Sequence, residues 1–200
     1  MFTGVQFSLY PMVADFVPAI MRGIGALDAY PALRRETDNL STLLVGPPDD
    51  LVPALRDCFL AAARAGDHVV MSGTLSRGCP GESDDPICIA PALPPPRPDE
   101  NAADVALSRF KPRQPAGIKT FAQISLYPLG TEAHMARIGS CIDFLKRAGV
   151  FDRSKHFCSK IAGDAEDVFA AIERCYLDFA PLSAHVVLTF TISAHSPSDR

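Results

Sequence analysis

Two runs of hydroxyl-bearing side chains, 117 positions apart, carry most of the recognisable chemistry of this 200-residue chain. Gln6-Ser8-Tyr10 returns as Gln123-Ser125-Tyr127, Ser72-Thr74-Ser76 as Thr189-Thr191-Ser193, and Thr42 as Ser159. A hydroxyl both donates and accepts, so a few of them in a mostly apolar cleft can read the edge of a small polar ring. The same pattern also suits a solvated sheet face, because Thr and Tyr favour strands. The set is poor material for a reaction. General acid–base chemistry needs a titratable pair within hydrogen-bond reach, and Asp38 with His68 is the only such candidate in the first half. His68 and His185 open equivalent segments and also suit a role in closing the turn before them. Asp50 and Asp167 stand at helix starts, where a carboxylate complements the dipole and the free amides. No glycine-rich phosphate loop, HExxH pattern or paired catalytic acids is present. No catalytic residue is therefore assigned.

These residues belong to a duplicated unit. Val5-Gln6-Phe7-Ser8-Leu9-Tyr10-Pro11-Met12 reappears as Ala122-Gln123-Ile124-Ser125-Leu126-Tyr127-Pro128-Leu129, and the shift then holds without a gap through Gly46/Gly163, Asp50/Asp167, Cys58/Cys175 and His68/His185. Between residues 4 and 76, 17 positions are identical to the second copy. Two copies of this length exclude a solenoid of short repeats. Each copy alone is marginal in size, so the two are expected to pack together or to be covered by a second chain.

Within each copy, residues 4–10 alternate, with Val5, Phe7 and Leu9 on one side and Gln6, Ser8 and Tyr10 on the other, a half-buried strand stopped by Pro11. Residues 13–28 place Phe16, Ile20, Ile24 and Leu27 on one helical stripe. A second strand is expected near 38–45, then a helix opened by Pro47-Pro48-Asp49-Asp50 with Leu51, Leu55, Cys58, Phe59 and Ala62 on its inner face, and a last strand over 68–76. A fourth strand is required for a β-α-β-β-α-β unit; 32–35 and 150–153 have the right length and little strand signal. The fold expected is α+β: tandem ferredoxin-like (ACT-like) βαββαβ units, with antiparallel sheets and helices on one face. Placing the first and last strands centrally would bring Ser8, Tyr10, Ser72 and Thr74 onto one patch. The divisions are 1–78 for the first repeat, 79–117 for a linker and 118–200 for the second repeat. The linker holds Pro94-Pro95-Pro96 and reads as extended and semi-rigid, a tether or a cover, with a short helix over 102–110.

Composition narrows the partners. A net charge of -4 without a basic stripe argues against nucleic acid, and no apolar run reaches the roughly 20 residues of a membrane span. The N-terminal residues show no signal-peptide pattern. The six cysteines lack tetrahedral metal spacing and are expected to be reduced, structural thiols. A cytoplasmic address, no metal and no cofactor follow as expectations.

Three stretches are specific together: Phe7-Ser8-Leu9-Tyr10-Pro11-Met12, Thr37-Asp38-Asn39-Leu40-Ser41-Thr42, and Met71-Ser72-Gly73-Thr74-Leu75-Ser76-Arg77-Gly78-Cys79-Pro80-Gly81. Ile124-Ser125-Leu126-Tyr127-Pro128, Gly163-Asp164-Ala165-Glu166-Asp167-Val168-Phe169 and Ser193-Ala194-His195-Ser196-Pro197-Ser198 agree in the second half. With these the chain resembles the YkoF family. The resemblance implies a homodimer of tandem ferredoxin-like units that binds thiamine or its hydroxymethylpyrimidine moiety, one ligand per repeat, without catalysis, in precursor transport or salvage. It points to Ser8, Leu9, Tyr10 and Thr42, and to Ser125, Leu126, Tyr127 and Ser159, as ligand-binding residues. Ser72 and Thr189 join them from the polar pattern, and Asp38 as a carboxylate near the first pocket that would favour a cationic thiazolium. Asp38-Asn39 becomes Lys155-His156 in the second copy, so the two sites are expected to differ in affinity. The alternatives are an isomerase or cyclase of the dimeric α+β barrel kind, and an interaction module without ligand.

Overall fold

The alternation of apolar and polar residues folds into one sheet with helices on a single side. The computed structural model describes residues 2–79, 101–180 and 184–199. The first repeat runs β1 (Phe2–Pro11), α1 (Val17–Ala26), β2 (Arg34–Thr37), β3 (Thr42–Val45), α2 (Pro48–Ala63) and β4 (Val69–Cys79). After α3 (Ala102–Arg109), the second repeat runs β5 (Lys119–Pro128), α4 (His134–Arg147), β6 (Phe151–Ser154), β7 (Ser159–Asp164), α5 (Ala165–Asp178) and β8 (Val186–Ala194). The ferredoxin-like order holds in each, β2-β3-β1-β4 and β8-β5-β7-β6.

The last strand of each unit is thus its edge, beside β1 or β5, and not a central strand. The two edges pair antiparallel, β4 on β8, so the repeats form one eight-stranded sheet. Joining them removes two exposed strand edges at once. Gly73 on β4 lies opposite Phe190 on β8, its own repeat equivalent, so the pseudo-twofold axis passes between them. At such an axis a side chain meets its own copy, and there is room for one ring. A Cβ on Gly73 would stand 2.8 Å from Phe190 Cζ and 2.6 Å from the Gln6 carbonyl. Around the axis, His68 Nε2 lies 3.0 Å from Ser193 Oγ, and Ser76 Oγ lies 3.3 Å from His185 Nε2, equivalent contacts made twice. The two histidines therefore join the repeats. Their carbonyls also accept the Met12 and Leu129 amides that follow the first strand of each unit.

Arg77 adds an unsymmetrical lock. It leaves β4 on the helix side, 3% exposed, and its guanidinium donates to the Tyr176 and Ala180 carbonyls at the C-terminal end of α5. The Tyr176 hydroxyl donates back to the Ser76 carbonyl. Burial lowers the Arg77 pKa and raises that of Tyr176. α2 and α5 meet over the seam through Phe59 and Phe169, with ring centroids 5.5 Å apart.

Several local expectations shift. The strand near 38–45 is only Thr42–Val45, because Asp38 folds 38–41 into a turn. β2 and β6 are one residue or two later than read, and their signal is weak because β2 is an exposed edge strand of Arg34, Arg35 and Glu36. In α1 the buried residues are Ala19 and Gly23, while Phe16 precedes the helix and is exposed. A glycine at 23 lets α1 approach α2, since its Cβ would lie 3.0 Å from the Cys58 carbonyl. The α5 cap is Asp164, which accepts Glu166 N–H, and Asp167 sits in the first turn. The end of the proline-rich segment docks: α3 buries Ala103 and Ala106, and Arg109 pairs with Asp178 at 2.7 Å. The proline run itself, and Cys88, lie outside the described residues.

Candidate functional site

The turn between the two short strands of each repeat is held by one contact made in both copies. Ser8 Oγ donates to the Leu40 carbonyl at 2.9 Å, and Ser125 Oγ donates to the Phe157 carbonyl at 2.8 Å. Beside them, the Gln6 amide donates to Ser41 Oγ at 2.8 Å, and Cys158 Sγ lies 3.5 Å from Gln123 Oε1. The duplicated polar residues of β1 and β5 therefore hold a turn in place. In the first repeat Asp38 closes that turn by accepting the Leu40 and Ser41 amides, both at 2.8 Å, and these backbone bonds hold its carboxyl below the usual range.

In the second repeat the turn overhangs a cavity of about 260 Å³ between β5, α4 and the β6–β7 turn. That is below the roughly 300–1,000 Å³ of pockets for drug-sized ligands, and suits a single ring with short substituents. Its floor is apolar, with Ile124, Leu126, Ile138, Ile142 and Leu145. Ser154 and Ser159 bring hydroxyls from the helix side of their strands, Ser125 and Tyr127 border the cavity with side chains on the opposite face of β5, and Lys155, His156 and Phe157 form the lip. Cys141 also lines it, with its Sγ 3.3 Å from Cys175 Sγ; burial drives the Cys175 thiol well above the ordinary thiol range. Such a pair packs as apolar volume. Groups able to hold a metal ion are absent among the described residues.

This site can be set beside known proteins. The YkoF-related family profile matches the chain twice, over residues 2–82 and 119–199, one match per repeat. The chain belongs to the YkoF-related family. A Bacillus subtilis (strain 168) protein with the provisional name HMP/thiamine-binding protein YkoF is 32% identical over 195 residues, covering 98% of this chain and 91% of that one.

In this YkoF-related chain the residues expected at the sites divide between the two sides of the sheet. Ser125, Leu126, Tyr127 and Ser159 all border the second-repeat cavity, Leu126 and Ser159 from the helix side and Ser125 and Tyr127 with side chains on the open face. Thr189 lies on the open face opposite Ser125 and Thr74, outside the cavity lining. Ser72 likewise faces Ser8 and Thr191 on the open side. Thr42 is not on that polar face, contrary to the pattern reading: it shares the helix side with Leu44, is 4% exposed, and its hydroxyl meets Thr37 Oγ1 at 3.0 Å. Ser159 holds the same place in the second repeat, opposite Ile124. In the first repeat a polar cleft of about 240 Å³ opens on the other side, between Gln6, Glu36, Thr37, Asp38, Ser41 and Leu43. Tyr10 and Tyr127 are about equally exposed, at 44% and 45%. Sequence reasoning missed the α4 wall and the lip residue Phe157, which is 90% exposed. The signal for Phe157 was present, since an apolar residue stands at that turn position in both copies, Leu40 and Phe157.

Proposed function

We propose that this chain is a non-enzymatic binding protein for an aminopyrimidine of the hydroxymethylpyrimidine or thiamine type, with one ligand per repeat, acting in transport or salvage of that precursor. The observation that carries the reading is the second-repeat cavity, where an apolar floor sized for one ring meets the hydroxyls of Ser154 and Ser159 at its edge. An aminopyrimidine offers an amino donor and two ring-nitrogen acceptors, which hydroxyls can match in either direction. The name of the Bacillus subtilis relative supports the same ligand class. Asp38 and His68, the only acid–base candidates in the first repeat, are engaged elsewhere, Asp38 by turn amides and His68 by Ser193, which counts against an isomerase or cyclase. A homodimer is part of the proposal: Tyr10, Met12, Phe16 and Met21 on one repeat and Leu129 and Met135 on the other are exposed apolar groups that a second copy would cover.

A thermal-shift screen of the purified chain against hydroxymethylpyrimidine, thiamine and unrelated heteroaromatics tests the reading, with each ligand assayed for consumption after prolonged incubation. The expected result is a selective rise in melting temperature with the ligand recovered unchanged. No selective stabilisation, or consumption of the ligand, would overturn it.

A further inference from the structure

The two repeats differ in charge at equivalent positions, with opposite charges at the turn. In the second repeat the cavity lining contains Lys155 and His156 and no carboxylate. Their equivalents in the first repeat are Asp38 and Asn39, and the α4 wall residue Leu145 corresponds to Asp28. Lys155 is exposed and forms no ion pair among the described residues, whereas Lys160, just past the turn, is neutralised by Asp152 at 2.6 Å. Asp28 is likewise paired, with Arg35 at 3.1 Å. The lip of the second cavity thus keeps one uncompensated cation beside an imidazole, next to an exposed aromatic ring.

We infer that the second-repeat cavity takes a flat heteroaromatic ring carrying an anionic substituent, a phosphate monoester, with Lys155 and His156 on the anion and Phe157 against the ring. This deepens the pyrimidine-binding reading and rests on it. The apolar floor accepts the ring, and the hydroxyls of Ser154 and Ser159, paired on the helix side, meet its polar edge. The substituent then projects to the mouth, where Lys155 supplies charge and His156 a ring nitrogen donor. Phe157 sits at the tip of the turn that Ser125 holds, so its ring can cover a bound heterocycle and contribute offset stacking. The first repeat, with Asp38 at the equivalent of Lys155, rejects the same anion.

The sequence contains no tryptophan, so Phe157→Trp makes a single fluorescent reporter at this lip. Fluorescence titration of that variant locates binding at the second cavity, and calorimetry on the parent chain measures affinity for the hydroxymethylpyrimidine alcohol, its phosphate monoester and inorganic phosphate. The phosphate monoester is expected to bind the second site about fivefold or more tighter than the alcohol. The preference should shrink in high salt, and Lys155→Asp should abolish it. Equal affinity for alcohol and monoester, a preference untouched by Lys155→Asp, or inorganic phosphate binding as tightly as the monoester would overturn the inference and leave the pyrimidine reading standing. Failure of both pyrimidines to bind would instead remove the reading on which it rests.

Discussion

Gly73 and Phe190 occupy one space at the pseudo-twofold axis, so substitutions at the two positions must be coupled. Gly73→Ala places a methyl 2.6 Å from the Gln6 carbonyl, 2.8 Å from Phe7 Cβ and 2.8 Å from Phe190 Cζ. Overpacking of this kind costs about 1–3 kcal/mol. Phe190→Leu removes ring volume from a site that is 3% exposed, and should cost about 1–2 kcal/mol at roughly 0.8 kcal/mol per buried methylene. A leucine at 190 no longer reaches the position of the ring tip, so one of the three close contacts of the new methyl disappears. The methyl in turn fills part of the space that the ring leaves. The double variant should therefore be more stable than the sum of the singles by about 1 kcal/mol. Urea denaturation of the four proteins, analysed by linear extrapolation, measures the difference directly. Additivity to within about 0.3–0.5 kcal/mol, the behaviour of independent sites, would refute the shared-space argument.

Two further outcomes follow from the seam and the first turn. Arg77→Met should lose two charge-assisted bonds to the α5 carbonyls, destabilise the chain by about 2 kcal/mol and lower the melting temperature by roughly 4–8 °C; Arg77→Lys should not rescue it, because a lysine lacks the fork that reaches both carbonyls. Asp38 has a folded-state pKa below its ordinary value, so its contribution to the β2–β3 turn is complete above the ordinary carboxylate range and is lost as pH falls through the lowered value. The Leu40 and Ser41 amide resonances should shift with pH below about 4, and Asp38→Ala should remove that titration.

The fold was legible because the duplication kept its register: Phe7 and Val5 against Gln6 and Ser8 define a face without any structure. The union of the sheets was not legible. Pairing of β4 with β8 depends on two edges that look alike in sequence, and its clue, glycine at 73 against phenylalanine at 190, has meaning only once an axis runs between them. β2 read poorly because Arg34, Arg35 and Glu36 are exposed on both faces and carry no burial pattern. For the site, the duplicated hydroxyls were correctly located along the strands, but period-two reasoning assigned them all to one side. Thr42 and Ser159 start short strands whose inward face includes Leu44 and Ile161, and a polar residue at a strand end does not reveal which side it faces. Ser8 and Ser125 were readable as polar, and their use in holding the turn was not, since their partners are carbonyls 32 residues away.

The most direct test of the account is a calorimetric titration of the parent chain and Ser159→Ala with hydroxymethylpyrimidine. The account predicts two sites per chain in the parent. Loss of the Ser159 hydroxyl should weaken one of them by about 1–2 kcal/mol, leaving a polar ligand group unpaired, while the other is unchanged. A single site in the parent, or a Ser159→Ala chain with both sites as tight as before, would contradict it.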